Sequence, residues 1–254
     1  MKRASRVAAK TVKRSGPKQS ATPAKKPKNE TGGSSPSSGG SNKELKAYFK
    51  TYKDGVNDFH WPIFSAVSEI SEAKRVLYPG CHRHITASLV FSNVLYIDSD
   101  KKVGSCFTDA KVLEWVDQNK EYSEETRLKF LCKNFDADFG EKSAAFDLLI
   151  SLSAGIVSKS CAKYLKKGGY FLAGDAHYDA RMTFLDSKFK LVSVWNASMK
   201  QFEDSPDALK GHFMTDKRKK ISADQVQESI DKPRAKRSFK LQKEALFYLF
   251  QKIK

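Results

Sequence analysis

The sequence predicts an α/β fold in which a doubly wound, mostly parallel seven-stranded sheet follows a disordered basic N-terminal tail. Three observations predict it. From residue 74 onward, short apolar runs alternate with helix-like stretches. All 17 Phe, 9 Tyr and 3 Trp fall after residue 43. The first 43 residues carry eleven Lys and Arg against Glu30 alone. Strands that alternate with helices join by right-handed crossovers, which gives a parallel sheet with helices on both faces.

Residues 1–42 are expected to form the tail. They hold no aromatic residue and a Gly/Ser/Pro-rich run at 31–41, too little apolar surface to offset the entropy of ordering. Lys2-Arg3, Lys13-Arg14 and Lys25-Lys26-Pro27-Lys28 are basic clusters of the kind that serve nuclear import or nonspecific nucleic-acid contact. The same acid-poor, Ser/Thr-containing stretch suits an organellar transit peptide. Lys outnumbers Arg and no amphipathic stripe is present, so the expectation is nuclear or cytoplasmic, with an organelle as the alternative. The four cysteines, Cys81, Cys106, Cys132 and Cys161, contain no C-x-x-C pair. They read as reduced thiols rather than a zinc ribbon or redox pair. No apolar run approaches the roughly 18 residues that span a bilayer, so no membrane contact is expected.

Residues 43–73 read as a helical segment covering the sheet. Leu45, Tyr48, Phe49 and Tyr52 recur at helical spacing, and Pro62 suits the first turn of a second helix. Asp58-Phe59-His60-Trp61 falls in the connection, either as a lid or as packing on the sheet.

Residues 74–254 then form the sheet domain. Seven strands are expected at 75–78, 94–97, 128–131, 146–151, 169–173, 189–195 and 246–253. Helices are expected at 86–91, 101–119, 156–165 and 176–185. Ligands on such sheets bind beyond the carboxyl ends of the strands, where the strand order reverses.

Two stretches carry a family resemblance. Tyr164-Leu165-Lys166-Lys167-Gly168-Gly169-Tyr170-Phe171-Leu172-Ala173 has a Leu-x-x-Gly-Gly connection into an apolar strand, with Gly168 suited to a left-handed helix cap. It follows Phe146-Asp147-Leu148-Leu149-Ile150-Ser151. Upstream, Val76-Leu77-Tyr78-Pro79-Gly80 precedes Val94-Leu95-Tyr96-Ile97-Asp98. From about residue 75 to 195, and over the last strand, the chain resembles the class I S-adenosylmethionine-dependent methyltransferases, a Rossmann-like family. It is similar to a branch with a Tyr-Pro-Gly turn in place of the Gly-rich loop.

The resemblance implies S-adenosylmethionine as cofactor and an acceptor that the sequence leaves unidentified. Tyr78, Pro79 and Gly80 match the turn around the methionine part of the cofactor. Asp98 matches the acid that accepts hydrogen bonds from the ribose hydroxyls, with Asp100 as runner-up. Asp136 matches the acid near the adenine amino group, with Asp138 an equal candidate. Ser151 ends strand four, where Ser151-Leu152-Ser153-Ala154-Gly155 replaces the Asp/Asn-Pro-Pro-Tyr/Phe of amine-methylating members. Transfer to an exocyclic base amine by that route is therefore not expected.

His177, after strand five, is the candidate general base, with Asp175 or Asp179 to orient it and His82 and His84 in reserve. Cys81, His82 and His84 splay apart on an extended loop, so no metal site is expected. Only one glycine of the usual turn is kept. That departure carries the second reading, a catalytically inactive methyltransferase-like binding or scaffold module.

Overall fold

The computed structural model describes residues 43–53, 55, 57–232 and 239–254. The basic tail expected over residues 1–42 lies outside them. Two helices come first, α1 (Lys43–Tyr52) and α2 (His60–Ser71). In α2 the close spacing of Ile63, Phe64 and Val67 buries one face, and Glu72 closes the helix in a left-handed conformation.

The sheet has eight strands. They are β1 (Val76–Pro79), β2 (Asn93–Asp98), β3 (Arg127–Cys132), β4 (Phe146–Ser151), β5 (Leu165–Gly174), β6 (Phe189–Asn196), β7 (Gln201–Glu203) and β8 (Phe247–Lys252). Their order is β3-β2-β1-β4-β5-β8-β6-β7. β1 pairs in parallel with β2 and β4, and β4 with β5. β8 inserts antiparallel between β5 and β6. The strand order thus reverses between β1 and β4, the place where this architecture opens a ligand crevice.

Five further helices connect the strands: α3 (Ala110–Asn119), α4 (Val157–Cys161), α5 (Asp179–Leu185), α6 (Pro206–Leu209) and α7 (Ala223–Asp231). Along β2, Val94 and Tyr96 join the core on one face while Leu95 and Ile97 join the core on the other. Burial on both faces explains why the strand reads as a continuous apolar run. The first face also takes Tyr48, Phe64 and Val67 from α1 and α2. The second takes Val157 and Cys161 from α4.

Four expectations are corrected. The sheet has eight strands rather than seven, because Gln201–Glu203 is too short to show a period and pairs with β6 as a hairpin. The expected helix over 101–119 is two pieces, a 3-10 helix at Lys101–Phe107 and then α3. Asp100 accepts from the Lys102 N–H, and Asp109 accepts from those of Lys111 and Val112, so two caps cut one periodic stretch. The stretch expected as helix at 86–91 is a buried 3-10 turn, Ile85–Leu89. Gly168 is left-handed as expected, at φ +83°, but it does not cap a helix. β5 already begins at Leu165, and Gly168 sits where the β4–β5 register shifts. Among the described residues no helix is long and apolar enough to cross a membrane.

Candidate active-site cleft

A cleft of about 500 Å³ opens beyond the carboxyl ends of β4 and β5. Leu152 and Ser153 follow β4, and Asp175 follows β5. Phe247 comes from the start of β8, and Phe59 with His60 from the start of α2. Phe59 is 54% exposed, which leaves an aromatic surface at the rim.

Behind the cleft lies a buried network centred on Asp58. Its Oδ1 accepts from the backbone N–H of His60 at 3.1 Å and pairs with His60 Nδ1 at 2.8 Å. Its Oδ2 pairs with His84 Nε2 at 2.5 Å and accepts from the Thr86 hydroxyl at 2.6 Å. Tyr78 Oη meets His84 Nδ1 at 2.8 Å, and Tyr48 Oη meets Thr86 Oγ1 at 2.8 Å. An ionised carboxylate only accepts, so the network assigns Nδ1–H to His60 and Nε2–H to His84, and the Tyr78 hydroxyl donates to His84 Nδ1.

The electrostatics agree with this assignment. Burial pushes His84 down to about 4, against its hydrogen bond with Asp58, so its imidazole is neutral at pH 7. Burial opposes ionisation of Asp58 as well. Hydrogen bonds from His60, His84 and Thr86 outweigh it and hold the carboxyl well below the usual carboxylate range. The carboxylate receives four hydrogen bonds, about its full capacity. His60 Nε2 makes no hydrogen bond among the described residues, and the ring lines the cleft. An imidazole with one nitrogen fixed by a carboxylate and the other facing a cleft can accept a proton from a bound group.

Asp58, His60 and His84 also bring three potential ligand atoms within 4.8 Å of one another. Their N···O separations of 2.5 and 2.8 Å are hydrogen-bond distances. Two ligands on a tetrahedral zinc stand roughly 3.3 Å apart. As arranged, this is a hydrogen-bond network and not a ligand set.

The residues singled out in the sequence fall into two groups. Around the β1–β4 reversal, Gly80 follows Tyr78 and Pro79 at φ +62° and donates its N–H to Ile97 O at 2.7 Å. Its open face is covered by Ala154, and Phe135 stands nearby. Asp98 accepts from the backbone N–H of His82 at 2.7 Å and of Asp100 at 2.9 Å. Asp100 is occupied with the Lys102 N–H. Asp136 accepts from the Ser160 hydroxyl, and Asp138 from the Gly140 N–H at 2.9 Å. The Ser151 hydroxyl donates inward to Asp179 Oδ2 at 2.6 Å. Asp179 also accepts from the backbone N–H groups of Val157 and Ser158, both at 3.1 Å. Its carboxylate therefore anchors the start of α4.

Beyond β5, Asp175 lines the cleft and gives both oxygens to Arg181, at 2.6 Å to Nε and 3.2 Å to the backbone N–H. Burial pushes the Asp175 carboxyl up, against the attraction of Arg181. His177 is half-buried in the same loop. His82 Nδ1 lies 3.3 Å from Tyr52 Oη. The histidine that lines the cleft is His60, which the sequence places only in a connection between two helices. The signal available was Asp58-x-His60, a carboxylate two residues before an imidazole.

The sequence matches no family model and no curated protein. Among solved structures the chain is similar to the plantazolicin methyltransferase BpumL in complex with SAH, at 10% identity. That match covers 86% of this chain and 92% of that one, with a TM-score of 0.45. It is also similar to a methyltransferase from Geobacter sulfurreducens, at 13% identity over 61% of this chain and 85% of that one, TM-score 0.42. Similarity to the cyclase SpnF is 15% identity over 44% of this chain, TM-score 0.34, and it spans only 43% of SpnF.

Proposed function

We propose that the protein is an S-adenosylmethionine-dependent methyltransferase whose acceptor binds in the cleft beyond β4 and β5. One observation carries this reading. The cleft opens beyond β4, one of the two strands at the β1–β4 reversal, and His60 lines it with Nδ1 held on Asp58. The sequence resemblance supplies the cofactor class, and the cofactor supplies an electrophilic methyl group when bound.

The residues at the reversal fit that cofactor unevenly. Asp98 ends β2 half-exposed, and a carboxylate has about four acceptor positions, of which two are used by backbone N–H groups. It suits a ribose diol. The open face of Gly80 is less suited, because Ala154 already rests on it. Gly155, left-handed at φ +112°, follows Ala154 and gives that loop a residue able to change conformation.

In the acceptor half, His60 Nε2 takes the proton of a hydroxyl, thiol or ring N–H, and Asp58 stabilises the imidazolium that forms. His84 and Thr86 hold Asp58 in place and are positioning residues. Phe59 and Phe247 supply an aromatic wall on one side of the cleft. His177 with Asp175 is the competing base, since Asp175 borders the same cleft.

A second reading, a methyltransferase-like binding module without catalysis, is favoured by Ala154 on Gly80. Calorimetry with S-adenosylhomocysteine, S-adenosylmethionine, NAD and ATP separates the two. Selective micromolar binding of the first pair supports the enzyme. Heat absent at millimolar concentration of both supports the binding module.

A further inference from the structure

A second cleft, of about 690 Å³, lies on the face that carries α4 and α5. Five lysines border it: Lys159 in α4, Lys163 in the turn after it, Lys188 before β6, and Lys252 and Lys254 at the end of β8. Among the described residues the one acid on its wall is Asp186, whose Oδ1 accepts from the backbone N–H of Lys188. Among the described residues none of the five lysines forms an ion pair. Lys111, Lys120, Lys166 and Lys232, by contrast, are each paired with a carboxylate.

Lys252 donates to Ala162 O and Leu165 O at 2.8 and 2.7 Å, which ties it to the frame. The ammonium groups of Lys159, Lys163 and Lys188 make no hydrogen bond among the described residues, and all three side chains are exposed. Burial and the neighbouring charge of Lys188 both push Lys252 below its ordinary value. Lys163 Nζ rests 4.8 Å from the centre of the Tyr164 ring, but no carboxylate pairs with it, and like charges gathered in a concavity without a carboxylate partner focus a positive potential that attracts anions.

We infer that this cleft binds the phosphate backbone of duplex nucleic acid without reading its sequence. Lysines are point charges that meet phosphates without the planar two-point geometry of arginine, and among the described residues no arginine lines the cleft. No aromatic side chain lines it either. Sites for single strands combine positive charge with aromatic platforms on which bases stack, so the wall suits a duplex whose bases stay paired. Contacts of this kind position a nucleic acid and carry no base information. The cleft is separate from the one that His60 faces, and its function is independent of the methyltransferase reading.

The experiment uses the full chain, so that the basic N-terminus is the same in every sample. Fluorescence anisotropy with a mixed-sequence 20-base-pair DNA duplex gives the slope of log affinity against log salt concentration. The triple variant Lys159→Gln/Lys163→Gln/Lys188→Gln is expected to flatten that slope by roughly 2.7, about 0.9 for each phosphate left without its lysine. Each single substitution is expected to flatten it by about 0.9. The same charge change at Lys217, Lys219 and Lys220, an exposed run elsewhere, is expected to change it far less. Melting temperatures within about 2 °C of wild type verify that the variants fold. Equal flattening in the two triple variants, or none in the first, overturns the inference and assigns polyanion binding to diffuse charge or to the N-terminus. Tripolyphosphate that binds the cleft tightly, with duplex affinity unchanged in the first variant, also overturns it in favour of a small polyphosphate.

Discussion

Gly80 lies face to face with Ala154. A Cβ built on Gly80 would stand 2.0 Å from the Ala154 Cβ and 3.3 Å from its Cα. The loops after β1 and β4 therefore touch at the point where strand order reverses, and the missing side chain of Gly80 permits it. Gly80→Ala is expected to cost roughly 2–4 kcal/mol, combining a left-handed conformation with overpacking. Urea unfolding measures this. Ala154→Gly in the same chain should restore part of the stability, a coupling that a double-mutant cycle reads directly. A single-variant cost below about 1 kcal/mol would mean that the 152–155 loop moves away easily.

His84 makes stability depend on pH. Unfolded, it titrates near 6.5, and folded near 4. Between those values the unfolded state holds more protons, so stability rises with pH across that window. It declines as pH falls from 6.5 toward 4. The shift corresponds to about 3 kcal/mol. Unfolding free energies measured at pH 7 and pH 4.5 should show the decline in wild type and a smaller one in His84→Gln. His212, also shifted down by burial, contributes equally to both proteins and drops out of the comparison. Equal acid sensitivity in the two would assign the effect to other groups.

Asp58→Asn removes the charge on which four donors converge. An amide has one acceptor oxygen, and its NH₂ must face at least one of those donors. The expected cost is about 1–3 kcal/mol, the penalty for leaving a buried polar group unmatched. Nitrogen-15 NMR should find His60 protonated at Nδ1 in wild type and a mixture of tautomers in the variant. An unchanged His60 tautomer would remove Asp58 as its positioning residue.

His60→Gln tests the base directly, once labelled cofactor and a cell extract yield a methylated acceptor. Turnover should fall about 100- to 10,000-fold, with cofactor affinity within a few fold of wild type. Retention of turnover, with a comparable fall in His177→Gln, would give the role to His177.

Asp98→Ala is expected to weaken S-adenosylhomocysteine binding by about 1.5–3 kcal/mol for each ribose hydrogen bond removed, as read by calorimetry. Asp100→Ala should change it little, because that carboxylate is occupied with the Lys102 N–H. Weakening confined to Asp100→Ala would exchange the two roles.

Much of the sheet was legible because its central strands are buried on both faces. Runs such as Val94–Ile97 and Leu148–Ile150 have no polar interruption to confuse them. β7 was not legible, since three residues cannot display a period. The two-piece structure of 101–119 was hidden because 3-10 and α segments share the same apolar spacing over so short a span, although both capping aspartates were in view. In the cleft, the resemblance directed attention to strand ends, and Asp175 does border it. His60 escaped because it belongs to a helix that precedes the sheet. Its partnership with His84 spans 24 residues through Asp58, and the packing of α2 against the Ile85–Leu89 turn brings them together.

The position of β8 has a consequence for how the chain acquires its shape. This strand follows all the others in sequence, yet it lies inside the sheet, bonded to β5 on one side and β6 on the other. A nascent chain emitted from its N-terminus can assemble β1 to β5 as their helices appear, but the β6–β7 hairpin has no strand that bonds it to the rest of the sheet until Phe247–Lys252 arrives. The Tyr170–Gln251 pairing closes a loop of some eighty residues, a slow event compared with forming any local hairpin. During synthesis the open edge of β5 is therefore an adhesive surface awaiting its last strand. A ribosome stalled before residue 247 would present that edge to chaperones or to other chains.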